Sequence, residues 1–203
     1  MTRSVDFLYD YGSPAAYLAW TQLPHLAADT GATVVMKPIL LGGVFQSTGN
    51  RAPITVPAKG SYLFKDMARY AKAYGVPLVM NPHFPINTIT LMRIDVALTL
   101  RADPSLDAYR AAVFPAIWAD KKNMGDPATV AAVLAPAGFA ADELVAMASD
   151  PQVKETLKTW TQEAVDRGAF GAPTFFVDGE MFWGQDRLDF VRSALTHSAK
   201  QTS

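Results

Sequence analysis

Three short stretches hold the residue types that could do chemistry. The first is Ser13-Pro14, directly after the β-rich run SVDFLY and the break Asp10-Tyr11-Gly12. Serine is a strong helix N-cap, and proline at the first helical position gives up an N–H that has no partner there anyway. At such a helix start the backbone N–H groups and the helix dipole favour an anion, and a hydroxyl can donate to a thiolate or an oxyanion. No Gly-x-Ser-x-Gly elbow surrounds Ser13 and no persuasive His/Asp pair accompanies it, so a hydrolase triad is not expected. Ser13 reads as a hydrogen-bond donor, with an ordinary N-cap as the plain alternative.

The second stretch is Phe170-Gly171-Ala172-Pro173-Thr174. A small residue and then proline at the mouth of a strand suits an ordinary strand start. It also suits a cis X–Pro bond in a tight turn, which would leave the Ala172 backbone open to an extended, peptide-like ligand. The third is Trp183-Gly184-Gln185-Asp186-Arg187. On its own it reads as a strand end followed by an Asp N-cap, although N–H groups at a helix start could equally hold a carboxylate. Asn50, Arg51 and Lys59 fall in a polar loop and, taken singly, are ordinary surface residues. His25, His83 and His197 are well separated and read as structural or surface residues, so no metal site is expected. The chain has no cysteine, which excludes disulfides, thiolate metal sites and a protein-borne thiol nucleophile.

These stretches need elements to bring them together. Ser4–Tyr9 alternates, with Val5, Phe7 and Tyr9 on one face, and predicts a strand. A helix from Ser13 toward Asp29 follows, stopped at Gly31 and expected to bend or end early at Pro24. A second strand is expected over 33–41, giving a right-handed parallel βαβ unit. Residues 42–59 read as a loop. Leu63, Met67, Tyr70 and Tyr74 follow helical spacing up to Gly75. After a proline-studded loop over 77–85, helices are expected over about 88–102 and 105–120, the latter kinked at Pro115. Asp126-Pro127 and Asp150-Pro151 repeat the N-cap and N1-proline signature. Thr174–Val177, Asp178-Gly179 and Glu180–Trp183 form a hairpin signal with a two-residue turn, and a last helix spans about 187–195. The chain thus divides into a βαβ half and a ββα half (residues 1–59 and 151–203) around an all-helical block over 60–150.

Bulk properties fit this picture. Of 203 residues, 50% are hydrophobic and 18% charged, a globular balance far from the disordered regime. The formal charge of −1 provides no field to draw in nucleic acid or an anionic membrane, so neither is expected as a partner. The first residues lack the apolar core and cleavage site of a signal peptide, and no apolar run approaches the ~20 residues that span a bilayer. A soluble, cytoplasmic protein is expected.

Taken together, VDFLYDYGSPAAYLA, TGNRAP with Lys59, FPINTITLMR and FGAPTFFVDGEMFWGQDRL resemble the 2-hydroxychromene-2-carboxylate isomerases and the related kappa-class glutathione transferases. The resemblance covers nearly the whole chain. Those families resemble bacterial disulfide oxidoreductases, which implies an α/β, thioredoxin-like fold with a large helical insertion. Where oxidoreductases carry Cys-x-x-Cys, this chain reads Ser13-Pro14-Ala15-Ala16, so thiol–disulfide exchange by the protein itself is excluded.

The resemblance implies that bound glutathione supplies the missing thiol. Ser13 matches the serine that hydrogen-bonds the glutathione sulfur. Ala172, ahead of Pro173, matches the residue whose backbone pairs with the cysteinyl moiety. Gln185 and Asp186, preceded by Trp183, match the region gripping the γ-glutamyl end, with Gln185 a departure where relatives often carry Asn or Ser. Asn50 and Lys59 match loop residues near the glycyl end and the substrate pocket. The implied reaction is glutathione-dependent isomerisation of an aromatic-degradation intermediate, 2-hydroxychromene-2-carboxylate, to trans-o-hydroxybenzylidenepyruvate, in a homodimer. Conjugation of glutathione to electrophiles is the second reading, and a non-catalytic binding module on a degenerate oxidoreductase fold is the third.

Overall fold

The computed structural model describes residues 3–196, so His197 lies outside the described residues. Strand β1 (Ser4–Tyr9) leads into helix α1 (Pro14–Thr30) and then β2 (Thr33–Pro38). Strands β3 (Thr174–Val177) and β4 (Glu180–Trp183) complete a four-stranded sheet in the order β2-β1-β3-β4. β1 pairs parallel with β2 and antiparallel with β3, and β3 pairs antiparallel with β4. This is the thioredoxin-like arrangement, with helices interposed between its two halves.

The alternation of β1 decides which side chain meets which layer. Val5, Phe7 and Tyr9 are fully buried in the larger hydrophobic cluster, while Leu8 points to a smaller one with Ile39, Val44, Ala164 and Phe176. The larger cluster also takes in helices α4 (Ile89–Leu100), α5 (Leu106–Trp118), α6 (Pro127–Leu134) and α7 (Ala141–Ser149). The smaller one is roofed by α2 (Leu41–Thr48) and α8 (Pro151–Asp166). Helix α9 (Leu188–Thr196) packs on α1 and β3. No single described helix is long and apolar enough to cross a membrane.

Three expectations need correction. The second strand ends at Pro38, not at residue 41. The stretch 42–59 is not a loop: it holds most of α2, a single 3-10 turn at Pro53–Thr55 and the first residues of α3 (Pro57–Tyr74). The N-terminus of α2 has no cap from its own sequence, since Leu40 stands at that position; a distant carboxylate and a distant hydroxyl supply the acceptors, Asp10 for the Leu41 N–H (2.9 Å) and Thr161 for the Leu40 N–H (2.9 Å). Helix α1 also does not end early at Pro24 but runs through it to Thr30. Pro24 lies on the exposed side of the helix, where the carbonyl it leaves unpaired can turn to water.

Helix α4 lies against the turn between β1 and α1, and residues 88, 92 and 95 form one helical stripe facing it. The Thr88 hydroxyl donates to Asp10 (2.6 Å), the Met92 sulfur accepts from the Tyr11 N–H (3.5 Å), and Asp95 accepts from the hydroxyls of Tyr9 (2.6 Å) and Tyr11. Arg110 of α5 closes this buried group with bonds of 2.9 and 3.1 Å to the two Asp95 oxygens. From the other side the Trp118 indole N–H donates to the Tyr11 carbonyl (2.8 Å).

Candidate active site

One cleft of about 410 Å³ opens where the β1–α1 turn, the start of α2, the first half of α3, the β3 mouth and the β4 end converge. All eight residues singled out in the sequence, Ser13, Asn50, Lys59, Ala172, Pro173, Trp183, Gln185 and Asp186, line it, together with Arg51.

Ser13 is the N-cap of α1 and buried. Its Oγ accepts from the Ala16 N–H (3.1 Å), and its hydroxyl donates to the Ala172 carbonyl (2.9 Å). The serine therefore caps the helix, as the plain reading expected, and its hydroxyl bonds the Ala172 carbonyl at the cleft wall. Pro14 carries no N–H and the Ala16 N–H is held by Ser13, which leaves the Ala15 N–H as the donor of this first turn that no group among the described residues accepts from. The Ala172–Pro173 bond is cis, as is Phe84–Pro85 in a loop that contributes Phe84 to the cleft wall.

Two glycines show how closely the β3 mouth and the β4 end are fitted. A Cβ on Gly171 would sit 2.6 Å from Trp183 Nε1, so the indole lies directly over this backbone, and the Trp183 ring also meets Phe170 at 4.9 Å. Gly184 takes φ of 109°, and a Cβ there would meet Asp186 Oδ1 at 2.5 Å. The Asp186 carboxylate thus folds back over Gly184, with Arg187 at 3.3 Å. Gln185 is 8% exposed, and among the described residues none bonds to its side-chain amide; its carbonyl accepts from the Tyr74 hydroxyl (3.3 Å). Burial, followed by the nearby Tyr70 and Asp186, pushes the Tyr74 phenol up to about 12, so it is a donor throughout the neutral range.

Asn50 has a role that its sequence context did not suggest. Its Nδ2 donates to the Phe170 carbonyl (2.8 Å) and its Oδ1 accepts from the Arg51 N–H (2.8 Å). It ties the segment after α2 to the β3 mouth, with its polar atoms already engaged in the protein. Lys59 lies exposed in the first turn of α3. Phe45, Ile54, Leu63, Phe64, Met67 and Phe84 form the apolar remainder of the wall. Tyr74, Asp66 and these apolar residues were not foreseen. The spacing of Leu63, Met67 and Tyr74 marked a helix face but could not say that part of it borders a cavity.

Comparison with known proteins now bears on this geometry. The profile of the DSBA-like thioredoxin domain matches residues 4–196. The 2-hydroxychromene-2-carboxylate isomerase of Sphingobium xenophagum is 32% identical over 197 residues, covering 96% of this chain and 99% of that protein. This chain belongs to the 2-hydroxychromene-2-carboxylate isomerase family, within the DSBA-like thioredoxin domains. A solved 2-hydroxychromene-2-carboxylate isomerase structure matches the fold of this family member with a TM-score of 0.79 at 32% identity, over 95% of this chain and 94% of the other. Human glutathione S-transferase kappa 1 is 26% identical over 96% of the chain and 92% of its own length. The family member described here is accordingly an enzyme on a thioredoxin-like fold, and the cleft around Ser13 is where the residues with chemical capacity converge.

Proposed function

We propose that this protein is a glutathione-dependent isomerase that converts 2-hydroxychromene-2-carboxylate, or a related aromatic-degradation intermediate, to trans-o-hydroxybenzylidenepyruvate. The observation that carries the reading is the bond from the Ser13 hydroxyl to the carbonyl of Ala172, in a cleft with no thiol of its own. The residues around it fit a tripeptide thiol. The unpartnered Gln185 amide and the Asp186 carboxylate suit an amino-acid end, and the cationic Lys59 and Arg51 suit a carboxylate. Gly171 and Gly184 keep the backbone bare where Trp183 and Asp186 close in.

Glutathione supplies, when bound, the nucleophilic sulfur that adds reversibly to the substrate and leaves unchanged. The protein's task is to keep that sulfur ionised and oriented. An ordinary thiol is mostly protonated at neutral pH. The Ser13 hydroxyl, the Ala15 N–H and the dipole of α1 all favour the anion. Ser13 can turn its proton to the sulfur by releasing the Ala172 carbonyl, which an amide N–H of the bound peptide can then satisfy. The exchange leaves no buried polar group unpaired, so it costs little. The apolar wall from Phe45 to Phe84 excludes water and suits a fused aromatic ring.

The test is to incubate the protein with 2-hydroxychromene-2-carboxylate, with and without glutathione. Product formation that requires glutathione, with all of the thiol recovered, is the expected result. A second reading, transfer of glutathione to an electrophile, has support from the similarity to the kappa transferases. Stoichiometric loss of thiol with a chlorinated nitrobenzene, and no isomerisation, would decide for it.

A further inference from the structure

Asp10 is a buried carboxylate that the proposed chemistry leaves without a part to play. It is 3% exposed, and three of its hydrogen-bond partners, Gly12, Ser13 and Leu41, line the cleft. Oδ1 accepts from the Gly12 N–H (2.8 Å) and the Thr88 hydroxyl (2.6 Å), and Oδ2 accepts from the Leu41 N–H (2.9 Å). The Asp10 carbonyl accepts from the Ser13 N–H (3.0 Å). Thr88 starts the helix that follows the Phe84 segment. A Cβ on Gly12 would meet Asp10 Oδ1 at 3.3 Å and the Thr88 side chain at 3.5 Å, so the three groups are already in close contact. All three side-chain bonds run from donors to the carboxylate, which is the pattern an ionised acid requires. None of its partners is charged.

We infer that Asp10, gripped by Thr88, is a positioning residue that holds the Gly12–Ser13 turn so that the serine hydroxyl meets the ligand sulfur. The inference rests on the proposed function. Asp10 does not touch the cleft contents; it acts through the turn, and its charge is masked by its donors. Burial raises its carboxyl above the ordinary value, and the bonds from Thr88, Gly12 and Leu41 offset that rise only in part. Loss of the Thr88 donor would both slacken the turn and leave the carboxylate less compensated near the bound sulfur. Both effects act in one direction, against the thiolate.

The experiment compares Thr88→Val, which keeps the shape and removes the hydroxyl, with Thr88→Ser, which keeps the hydroxyl. The readouts are glutathione affinity by calorimetry, the titration of the bound thiol by its ultraviolet absorbance, and steady-state turnover. Thr88→Val is expected to move the thiol titration to higher pH and lower kcat at neutral pH by about threefold to tenfold, with affinity for glutathione within about twofold. Thr88→Ser is expected to restore both. An unchanged titration and kcat in Thr88→Val, or a Thr88→Ser variant as impaired as Thr88→Val, overturns the inference alone. Absence of glutathione binding by the unaltered protein overturns the proposed function and the inference together.

Discussion

Ser13 does two jobs with one oxygen, and they can be separated by measurement. As an N-cap it accepts from the Ala16 N–H, and as a donor it faces the cleft through Ala172. Ser13→Ala should cost about 1 kcal/mol in denaturant unfolding through the lost cap. The same variant should lower kcat by about a hundredfold, the usual scale for removing one preorganised donor to a developing anion. A variant with the stability loss alone would leave Ser13 a cap and nothing more. The residue types at this position were legible in the sequence because Ser-Pro after a strand is a local signal. Asp10 was not: three residues upstream it reads as a strand breaker, and its partners at positions 41 and 88 are visible only in the folded chain.

At the scale of elements, the cleft depends on small ties between segments distant in sequence. Asn50 joins the end of α2 to the β3 mouth through Phe170. Asn50→Ala should therefore raise KM for glutathione several-fold while leaving kcat within about twofold, as expected for a residue that shapes the binding surface without meeting the reacting atoms. The hairpin of β3 and β4 was fully predictable, since Asp178 and Gly179 both take the positive φ (49° and 87°) that a two-residue turn requires. The caps of α6 and α8 were equally plain, Asp126 accepting from Thr129 N–H and Asp150 from Gln152 N–H. Helix α2 was hidden for the opposite reason. Its Gly42-Gly43 start argues for a loop, and the groups that cap it come from the turn after β1 and from α8. Local rules find helices that carry their own punctuation; this one borrows it.

Across the whole molecule, the buried group of Tyr9, Tyr11, Asp95 and Arg110 binds the sheet to the inserted helices. Asp95→Ala would strand two phenols and a guanidinium in the core and should destabilise the protein by about 3–5 kcal/mol. Burial, with Asp95 adding to it, raises the phenols of Tyr9, Tyr11 and Tyr109 well above their ordinary value. The folded state then holds these protons more tightly than the unfolded chain. Stability is complete below the ordinary tyrosine range and falls as pH climbs past about 10. Denaturant midpoints followed into alkaline solution should show that decline, and Tyr9→Phe should make it shallower.

The bond between Ser13 and the carbonyl of Ala172 carries one more consequence. A compound with a sulfhydryl and no second hydrogen-bond donor, such as ethanethiol, could draw the serine proton away yet would give the abandoned oxygen nothing in return. That oxygen would lose its donor without recompense, so simple mercaptans should compete poorly for the cleft even at high concentration. Selectivity for a peptide-borne sulfur would then come from the main chain opposite the serine.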